Sequence, residues 1–228
     1  GADRPRGSQA CLGDVIHRMA QKAAWGTIGL PELLQQLDDL WPRLHFEARW
    51  MEVAEREQMR QALTRFHNWN ETNPDRLLGV EVGFEVPVSV LGIPVLLRGT
   101  VDRLELKDGR LSVVDLKTGR RPPTKAEVAE HTQLGVYQLA ARLGAFDSLA
   151  PGVKDVAEPS LLQLRHGGAL PQRQFQEVLP EGHSWLIEKL EQAVGILQEG
   201  ILEAREGPQC AWCAFKASCP AINPGSLA

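Results

Sequence analysis

The chain has 228 residues, of which 43% are hydrophobic and 24% are charged, as in globular proteins with a substantial core. The formal net charge is −4, which gives no overall indication of nucleic-acid binding. No run of the roughly 18 apolar residues needed for a membrane span occurs. The first residues, GADRPRGSQACLG, contain no apolar signal core and no initiator Met, so we expect a cytoplasmic module excised from a longer polypeptide.

Helical periodicity dominates the N-terminal third. Apolar residues at helical spacing predict a helix over residues 8–24, and Pro31 opens a short second helix. A third helix is predicted from about residue 47 to 71, where Asn73-Pro74-Asp75 breaks the pattern. We therefore expect residues 1–78 to form a helical lobe.

At Gly79 the pattern changes to the alternation that is typical of strands. Thr124 with Glu127 three residues later predicts a capping box that opens a helix. The predicted strands are 79–90, 93–106, 111–117, 160–166 and 173–179, and the predicted helices are 124–143 and 182–202. This order indicates an α/β core over residues 79–204, followed by a tail over 205–228, all within one domain.

The hairpin around Asp108-Gly109 is the most informative stretch. This dipeptide favours a two-residue type I′ turn, which fixes the register and places Asp102 opposite Asp115, with Cβ atoms about 4.5–5.5 Å apart. Two carboxylates at that distance repel each other unless a cation lies between them. Lys117, two residues after Asp115, points to the same face. Two acids and a lysine on one face indicate a metal-dependent hydrolase centre.

Mg²⁺ prefers oxygen ligands and binds through one or two carboxylates, and the carbonyl of Leu116 offers a further oxygen. A lysine beside the metal can orient the attacking water and offset charge on phosphorus. The alternative is a surface ion pair between Lys117 and either acid. Eight Lys/Arg and four Asp/Glu lie between Arg98 and Lys125, a local excess that fits either phosphate binding or a solvated strand edge.

The acid pair lies in two segments that resemble the PD-(D/E)XK nuclease superfamily, specifically its RecB-like branch. These segments are GTVDR, before the Asp108-Gly109 turn, and VVDLKTG, after it. The resemblance spans residues 11–220. It implies a restriction-endonuclease-like core, in which helices flank a central mixed sheet. Asp115 replaces the superfamily's commoner glutamate, as it does in RecB-like members, so the resemblance implies an active nuclease.

Two further motifs match that branch in order. Gly-x-x-x-His near the start corresponds to Gly13 and His17, and the resemblance makes His17 a third metal ligand beside Asp102 and Asp115. Glu81 is a looser match that is expected to assist the catalytic centre. Gln-x-x-x-Tyr on the helix after the lysine strand implies contact with DNA or shaping of the site. The residues assigned to DNA are Gln133, Tyr137, Arg120 and Arg121.

The chain has four cysteines, one near the start and three near the end: Cys11, Cys210, Cys213 and Cys219. Metal or cluster ligation is a stronger expectation than disulfides when no secretion signal is seen. The one-plus-three spacing is similar to the [4Fe–4S] clasp of AddB- and AdnB-type helicase–nucleases. A structural Zn²⁺ is the competing interpretation.

The resemblance implies a Mg²⁺- or Mn²⁺-dependent deoxyribonuclease that is the nuclease module of a bacterial helicase–nuclease. Such a module acts in double-strand break resection and cuts mainly single-stranded DNA supplied by a helicase motor. A stand-alone CRISPR-associated exonuclease is one alternative. A catalytically silent nuclease fold that serves as a DNA-binding scaffold is another, which the intact acid pair, lysine and histidine disfavour.

Overall fold

A computed structural model describes residues 8–44, 46, 48–182, 184–200, 204–207, 210, 211 and 213–222, with side chains from residue 12 onward. The chain forms two compact units, Gly1–Leu186 and Ile187–Ala228. The division falls ahead of the predicted tail. Across the described residues, no helix is long and apolar enough to cross a membrane.

The described elements follow the predicted order. The helices are α1 (Ser8–Ala24), α2 (Leu30–Leu40), α3 (Arg49–Thr72), α4 (Lys125–Ala129), α5 (Thr132–Arg142) and α6 (Trp185–Glu199). The strands are β1 (Arg76–Val90), β2 (Ile93–Lys107), β3 (Arg110–Lys117), β4 (Ser160–Gly167) and β5 (Pro171–Phe175). They form one five-stranded sheet in the order β1-β2-β3-β4-β5. Only β3 and β4 pair in parallel, so the predicted α/β core with a mixed sheet is confirmed.

The hairpin between β2 and β3 has the predicted turn and register. Asp108 and Gly109 both have positive φ, 49° and 75°, as a type I′ turn requires. Lys107 pairs with Arg110, and the ladder continues in step to the pair Arg103 and Val114. One further step along that ladder places Asp102 and Asp115 opposite each other.

The helical lobe packs on one face of the sheet. Buried side chains of α1, α2 and α3 form a continuous core with every second residue of β3 and β4. The sheet contributes Val114, Leu116, Leu162 and Leu164 to this core. Because side chains alternate along a strand, Asp115 and Lys117 point to the other face, toward α5. The acids therefore lie away from the main apolar core.

The prediction of one continuous helix over 124–143 is wrong. The Thr124 capping box is present, but α4 ends at Ala129, and His131, with an extended backbone, begins α5. The Gln176 side chain donates hydrogen bonds to the carbonyls of Val128, Ala129 and His131. A buried glutamine from elsewhere in the chain thus satisfies the carbonyls that the helix break releases.

The last strand is also shorter than predicted. It covers Pro171–Phe175 rather than 173–179, and the chain then leaves the ladder. Leu179 N–H donates to Oε1 of Gln138 on α5 at 2.8 Å, and Gln138 Nε2 donates to the side chain of Gln176 at 2.9 Å. These side-chain bonds replace ladder bonds, which periodicity alone does not predict.

A buried ion-pair network joins the sheet to α3 on the lobe side. Glu105 Oε1 accepts hydrogen bonds from Arg103 Nε and from Asn73 Nδ2, both at 2.5 Å. Arg173 Nη2 lies 3.8 Å from the other Glu105 oxygen. The Arg103 and Arg173 guanidinium groups lie 4.9 and 5.6 Å from the ring centre of Trp69. Each buried charge therefore faces an opposite charge or an aromatic ring.

Candidate active site

Three acidic residues lie at one level of three neighbouring strands. The β1–β2 register pairs Val80 with Arg103 and Val82 with Val101, so Glu81 comes level with Asp102. The β2–β3 register brings Asp115 level with the same residue. The result is a row of carboxylates, Glu81, Asp102 and Asp115, across the sheet.

His17 from α1 joins this row. Its Nδ1 lies 3.8 Å from Asp102 Oδ2, and ligand atoms of His17, Glu81 and Asp102 all lie within 4.8 Å of one another. Within the described parts of the chain, no other three His, Cys, Asp or Glu residues are grouped this closely. One imidazole nitrogen and two carboxylates form a suitable ligand set for a divalent ion such as Mn²⁺ or Mg²⁺. Glu81, expected to assist, is thus among the three grouped ligands.

The backbone at Glu81 is strained. Its φ is 47°, in the left-handed region that non-glycine residues rarely occupy. A register shift between Leu77 and Gly79 lies just before it in β1. Such conformations cost about 1–3 kcal/mol and tend to occur at functional sites. The local distortion accompanies the placement of the Glu81 carboxylate beside Asp102 and His17.

Asp102 carries a charge that its neighbours do not fully offset. Burial and the negative charge of Asp115 raise the pKa of Asp102 from 3.8 to about 6, and the charge of Glu81 acts in the same direction. His17 and the Leu116 N–H oppose that rise, and the N–H donates to Asp102 Oδ2 at 2.7 Å. A cation at this position would stabilise the ionised carboxylate.

Lys117 is held by a chain of hydrogen bonds. Its Nζ lies 2.7 Å from Asp115 Oδ2 and donates to Gln133 Oε1 at 3.0 Å. Gln133 Nε2 in turn donates to the Tyr137 hydroxyl at 2.6 Å, and that hydroxyl donates to the carbonyl of Thr100 at 2.8 Å. This chain fixes the lysine ammonium on the same face of the sheet as the acid row.

Tyr137, which anchors this chain of hydrogen bonds to the Thr100 carbonyl, is buried. It is only 4% exposed, and burial together with the charge of Asp115 raises its pKa well above the ordinary value. It therefore stays protonated and keeps donating to Thr100. This burial leaves the Tyr137 ring little surface for contact with DNA, whereas Gln133 is exposed and supports Lys117 through its hydrogen bond.

Gly13 allows α1 to approach the end of the lysine strand. A Cβ at this position would lie 3.1 Å from Oγ1 of Thr118, the residue after Lys117. His17 follows one helical turn later on the same face. The Gly-x-x-x-His spacing thus combines a close approach with a side chain aimed at Asp102.

The two predicted DNA-contacting arginines line different clefts. Arg121 lines a cleft of about 500 Å³ together with Lys117. Arg120 turns toward the helical lobe, where its guanidinium pairs with Glu55 of α3. The other Glu55 oxygen accepts from Arg165 Nη2 at 2.8 Å. The loop after β3 is thereby tied to the lobe.

Two residues of the Lys117 cleft were not assigned from sequence. Gln163 is the β4 residue in register with Lys117, and it stands as a buried polar residue within the apolar run SLLQLRH. His131 lines the same cleft, and burial and the charge of Lys117 lower its pKa. The buried glutamine could have been noticed in the sequence, whereas His131 depends on the unpredicted helix break.

The second unit contains three described cysteines with free thiols, Cys210, Cys213 and Cys219. Cys210 Sγ accepts a hydrogen bond from Gly207 N–H at 3.3 Å. As far as the described residues extend, these sulfurs do not form a ligand group. The side chain of Cys11 lies outside the described residues. The four-cysteine cluster therefore stays a prediction.

Comparison with known families agrees with this geometry. The model of the PD-(D/E)XK nuclease superfamily matches residues 2–220, and the chain belongs to that superfamily. The mixed sheet flanked by helices is its restriction-endonuclease-like core. Membership supports a nuclease that acts on DNA, and nucleases of this superfamily generally use Mg²⁺ or Mn²⁺.

Two phage proteins are similar to the chain. It is 26% identical to the Gene 69 protein of Mycobacterium phage D29 over 175 residues, which are 72% of this chain and 58% of that protein. It is 25% identical to the Gene 69 protein of Mycobacterium phage L5 over 156 residues, 68% of this chain and 50% of that protein. The chain thus matches between 50% and 58% of the length of these relatives. The solved structure of SSO0001 aligns over 92% of this chain and 96% of its own, with a TM-score of 0.39 and 12% identity.

Proposed function

We propose that this chain is a Mg²⁺- or Mn²⁺-dependent deoxyribonuclease module that hydrolyses phosphodiesters in single-stranded DNA. The observation that carries the proposal is the convergence of His17, Glu81 and Asp102 beside the Asp115–Lys117 pair. This arrangement combines a cation site with a positioned ammonium group, and both can stabilise the charge that develops on phosphate oxygens during hydrolysis.

Each side chain has a role that follows from its contacts. His17, Glu81 and Asp102 would hold the ion, which when bound stabilises negative charge on the phosphate oxygens. Lys117, partly exposed and fixed by Asp115, faces the cleft, where its ammonium group contacts the phosphate or the attacking water. Asp115, whose Oδ2 lies 2.7 Å from Nζ, orients that ammonium group. The Leu116 N–H orients Asp102.

Glu81 offers a direct test with a matched control on the same strand. Glu85 is also an exposed acid of β1, but it pairs with Arg98 at 2.7 Å and is not in the ligand group. We expect Glu81→Gln to weaken Mn²⁺ binding and to lower cleavage of a labelled single-stranded oligonucleotide by roughly 100-fold or more. We expect Glu85→Gln to behave like the unmodified protein.

Two results would overturn the nuclease proposal. One is an unmodified protein that cuts neither single- nor double-stranded DNA with Mg²⁺ or Mn²⁺. The other is a Glu81→Gln variant whose metal binding and cleavage equal those of Glu85→Gln. Faster cleavage of duplex than of single strands would contradict the strand preference alone.

We further propose that the module belongs to a bacterial helicase–nuclease that resects double-strand breaks, with a [4Fe–4S] cluster held by Cys11, Cys210, Cys213 and Cys219. The support is the motif order and the cysteine spacing. Anaerobically purified protein should be brown, and Cys213→Ser should remove the colour. A colourless protein that contains zinc would favour a zinc site. DNA degradation by the full-length polypeptide that does not depend on ATP would contradict the helicase context.

A further inference from the structure

A second cleft lies on the lobe side of the loop that follows the catalytic lysine. Its volume is about 350 Å³, which is at the lower end of the range for small-ligand sites. Residues of α3, of the loop after β3 and of β4 line it: Trp50, Met51, Ala54, Glu55, Gln58, Arg120, Arg165 and His166. None of these residues belongs to the ligand group or to the support of Lys117.

Trp50 presents an aromatic surface to this cleft. It lies at the start of α3 and is 73% exposed, whereas Trp41 and Trp69 of the same lobe are buried. Tryptophan has a large apolar ring that is usually covered when nothing binds to it. An exposed ring beside a cleft offers a platform on which a nucleobase can stack.

The cleft has an excess of positive charge. Glu55 is buried between the guanidinium groups of Arg120 and Arg165, so two cations face one anion. The Arg120 side chain is 55% exposed, and a guanidinium has five N–H donors, of which the Glu55 contact uses few. Arg165 is 7% exposed in its side chain, and its buried Nε has no hydrogen-bond partner within the described structure. This donor set fits a phosphate group.

The loop 118–121 connects this cleft with the proposed active site. Gly119 lines the Lys117 cleft, and its carbonyl lies 3.3 Å from Nε2 of His166, which lines the second cleft. Lys117 and Arg120 are three residues apart, a distance that an extended chain covers in at most roughly 11 Å. The two clefts thus lie on opposite sides of one short loop, and a DNA strand with one phosphate at Lys117 would cross this loop to bring a nearby nucleotide into the second cleft.

We propose that this second cleft binds an unpaired nucleotide adjacent to the scissile phosphate, with its base stacked on Trp50 and its phosphate on Arg120. The inference rests on the proposed nuclease function and names the form of its substrate. A base inside a duplex is covered on both faces by its neighbours, so stacking on Trp50 requires single-stranded DNA. The cleft thus gives a physical basis for a single-strand preference.

The test measures binding of fluorescent oligo(dT) by anisotropy in Ca²⁺, with Trp50→Ala, Trp50→Phe and Trp25→Ala. Trp25 is the matched control, because it is also an exposed tryptophan, at 55%, and does not line the cleft. Stacking contributes about 1–3 kcal/mol per base, so we expect Trp50→Ala to raise the Kd roughly 5- to 150-fold. Trp50→Phe should restore most of the affinity, and Trp25→Ala should leave it unchanged.

Oligonucleotides that carry one abasic position provide a second readout. The loss caused by Trp50→Ala should disappear when the abasic position coincides with the cleft, and it should persist at the other positions. Equal effects of Trp50→Ala and Trp25→Ala, or a Trp50→Ala loss that is the same for every abasic position, would overturn the proposal. If one of these results is found while the unmodified protein still cleaves DNA with Mn²⁺, the proposed nucleotide subsite is wrong and the proposed nuclease function still stands.

Discussion

The two faces of β2 carry charged groups in opposite electrostatic situations. On the lobe side, Glu105 lies among Arg103, Arg173 and Asn73, and the positive charges of the two arginines act to lower its pKa, although burial raises the pKa on balance. On the other side, burial raises the pKa of Asp102, and the negative charges of Asp115 and Glu81 raise it further. Glu105 therefore has its counter-charges within the protein.

The acid row has fewer counter-charges. Among the described residues, its three carboxylates, Glu81, Asp102 and Asp115, face Lys117, which contacts Asp115, and His17, which lies 3.8 Å from Asp102 and is charged only when protonated. An arrangement that only stabilised the fold would pair these charges as Glu105 is paired, because unpaired buried charges are costly. On one face the charges are balanced within the protein, whereas on the other the excess of carboxylates favours a bound cation.

The largest expected effect is a loss of cleavage when either of the two central acids of the row is neutralised, and the two variants should differ in metal binding. Asp102→Asn and Asp115→Asn should each lower the cleavage rate by about 10²–10⁴-fold. Only Asp102→Asn should weaken Mn²⁺ binding, because Asp115 pairs with Lys117 and stands apart from the ligand group. Titration calorimetry with Mn²⁺ measures this. If Asp115→Asn also loses the ion, Asp115 is a metal ligand, as the family resemblance implies.

A substitution in the lobe-side network around Glu105 should instead lower the stability of the folded protein. Glu105→Ala leaves Arg103 and Arg173 without their buried partner, so we expect a loss of about 3–5 kcal/mol in the free energy of unfolding. Urea denaturation measures the loss, and Glu85→Ala serves as an exposed control with an effect below about 0.5 kcal/mol. Mn²⁺ affinity should not change in the folded variant. A stable Glu105→Ala variant with weakened Mn²⁺ binding would remove the distinction between the faces.

The pH dependence of stability gives a further test of the row. The pKa of Asp102 in the folded protein is about 6, above its ordinary value of 3.8, so folding favours the protonated form. Its contribution is complete below about pH 4 and is lost as the pH rises through 6, a difference of about 3 kcal/mol. The Tm without metal should therefore fall over this window relative to that of Asp102→Asn. Mn²⁺ should remove the difference, and a Tm difference that is independent of pH would contradict the assignment.

The smallest expected effect concerns the support of Lys117. Gln133→Ala removes one acceptor and leaves the Asp115 contact, so we expect the cleavage rate to fall roughly 10- to 100-fold with unchanged Mn²⁺ affinity. Tyr137→Phe, which keeps the buried ring and removes the hydroxyl, should have a smaller effect. Single-turnover rates at saturating Mn²⁺ measure both. A loss of Mn²⁺ binding in Gln133→Ala would show that the hydrogen-bond chain supports the ligand group as well.

The hairpin was predictable because its constraints are local. A two-residue Asp108-Gly109 turn fixes which residues face each other. Counting residues outward from this turn is therefore enough to place Asp102 opposite Asp115. The α/β core with a mixed sheet and the Thr124 cap are likewise confirmed. These features depend on sequence neighbours or on the established pattern of a fold class.

The remaining parts of the site depend on distant contacts. The sequence around Glu81 does not predict its positive φ. Its place in the ligand group follows only from the register of β1 and β2. His17 was assigned by resemblance, since a helix can present any of its faces to a sheet. His131 reaches the Lys117 cleft because a buried glutamine, Gln176, stabilises a helix break. Tertiary contacts such as these override local periodicity.

The approach of α1 to the loop after β3 has a consequence for the order of events during synthesis. His17 precedes Lys117 by 100 residues in the chain, and the supports of Lys117 on α5 follow later still. The ligand group comes from α1, β1 and β2, whereas Gln133 and Tyr137, which support Lys117, become available only after α5 has been made. A chain made only as far as β3 would therefore hold the ligand residues without the hydrogen bonds that position Lys117.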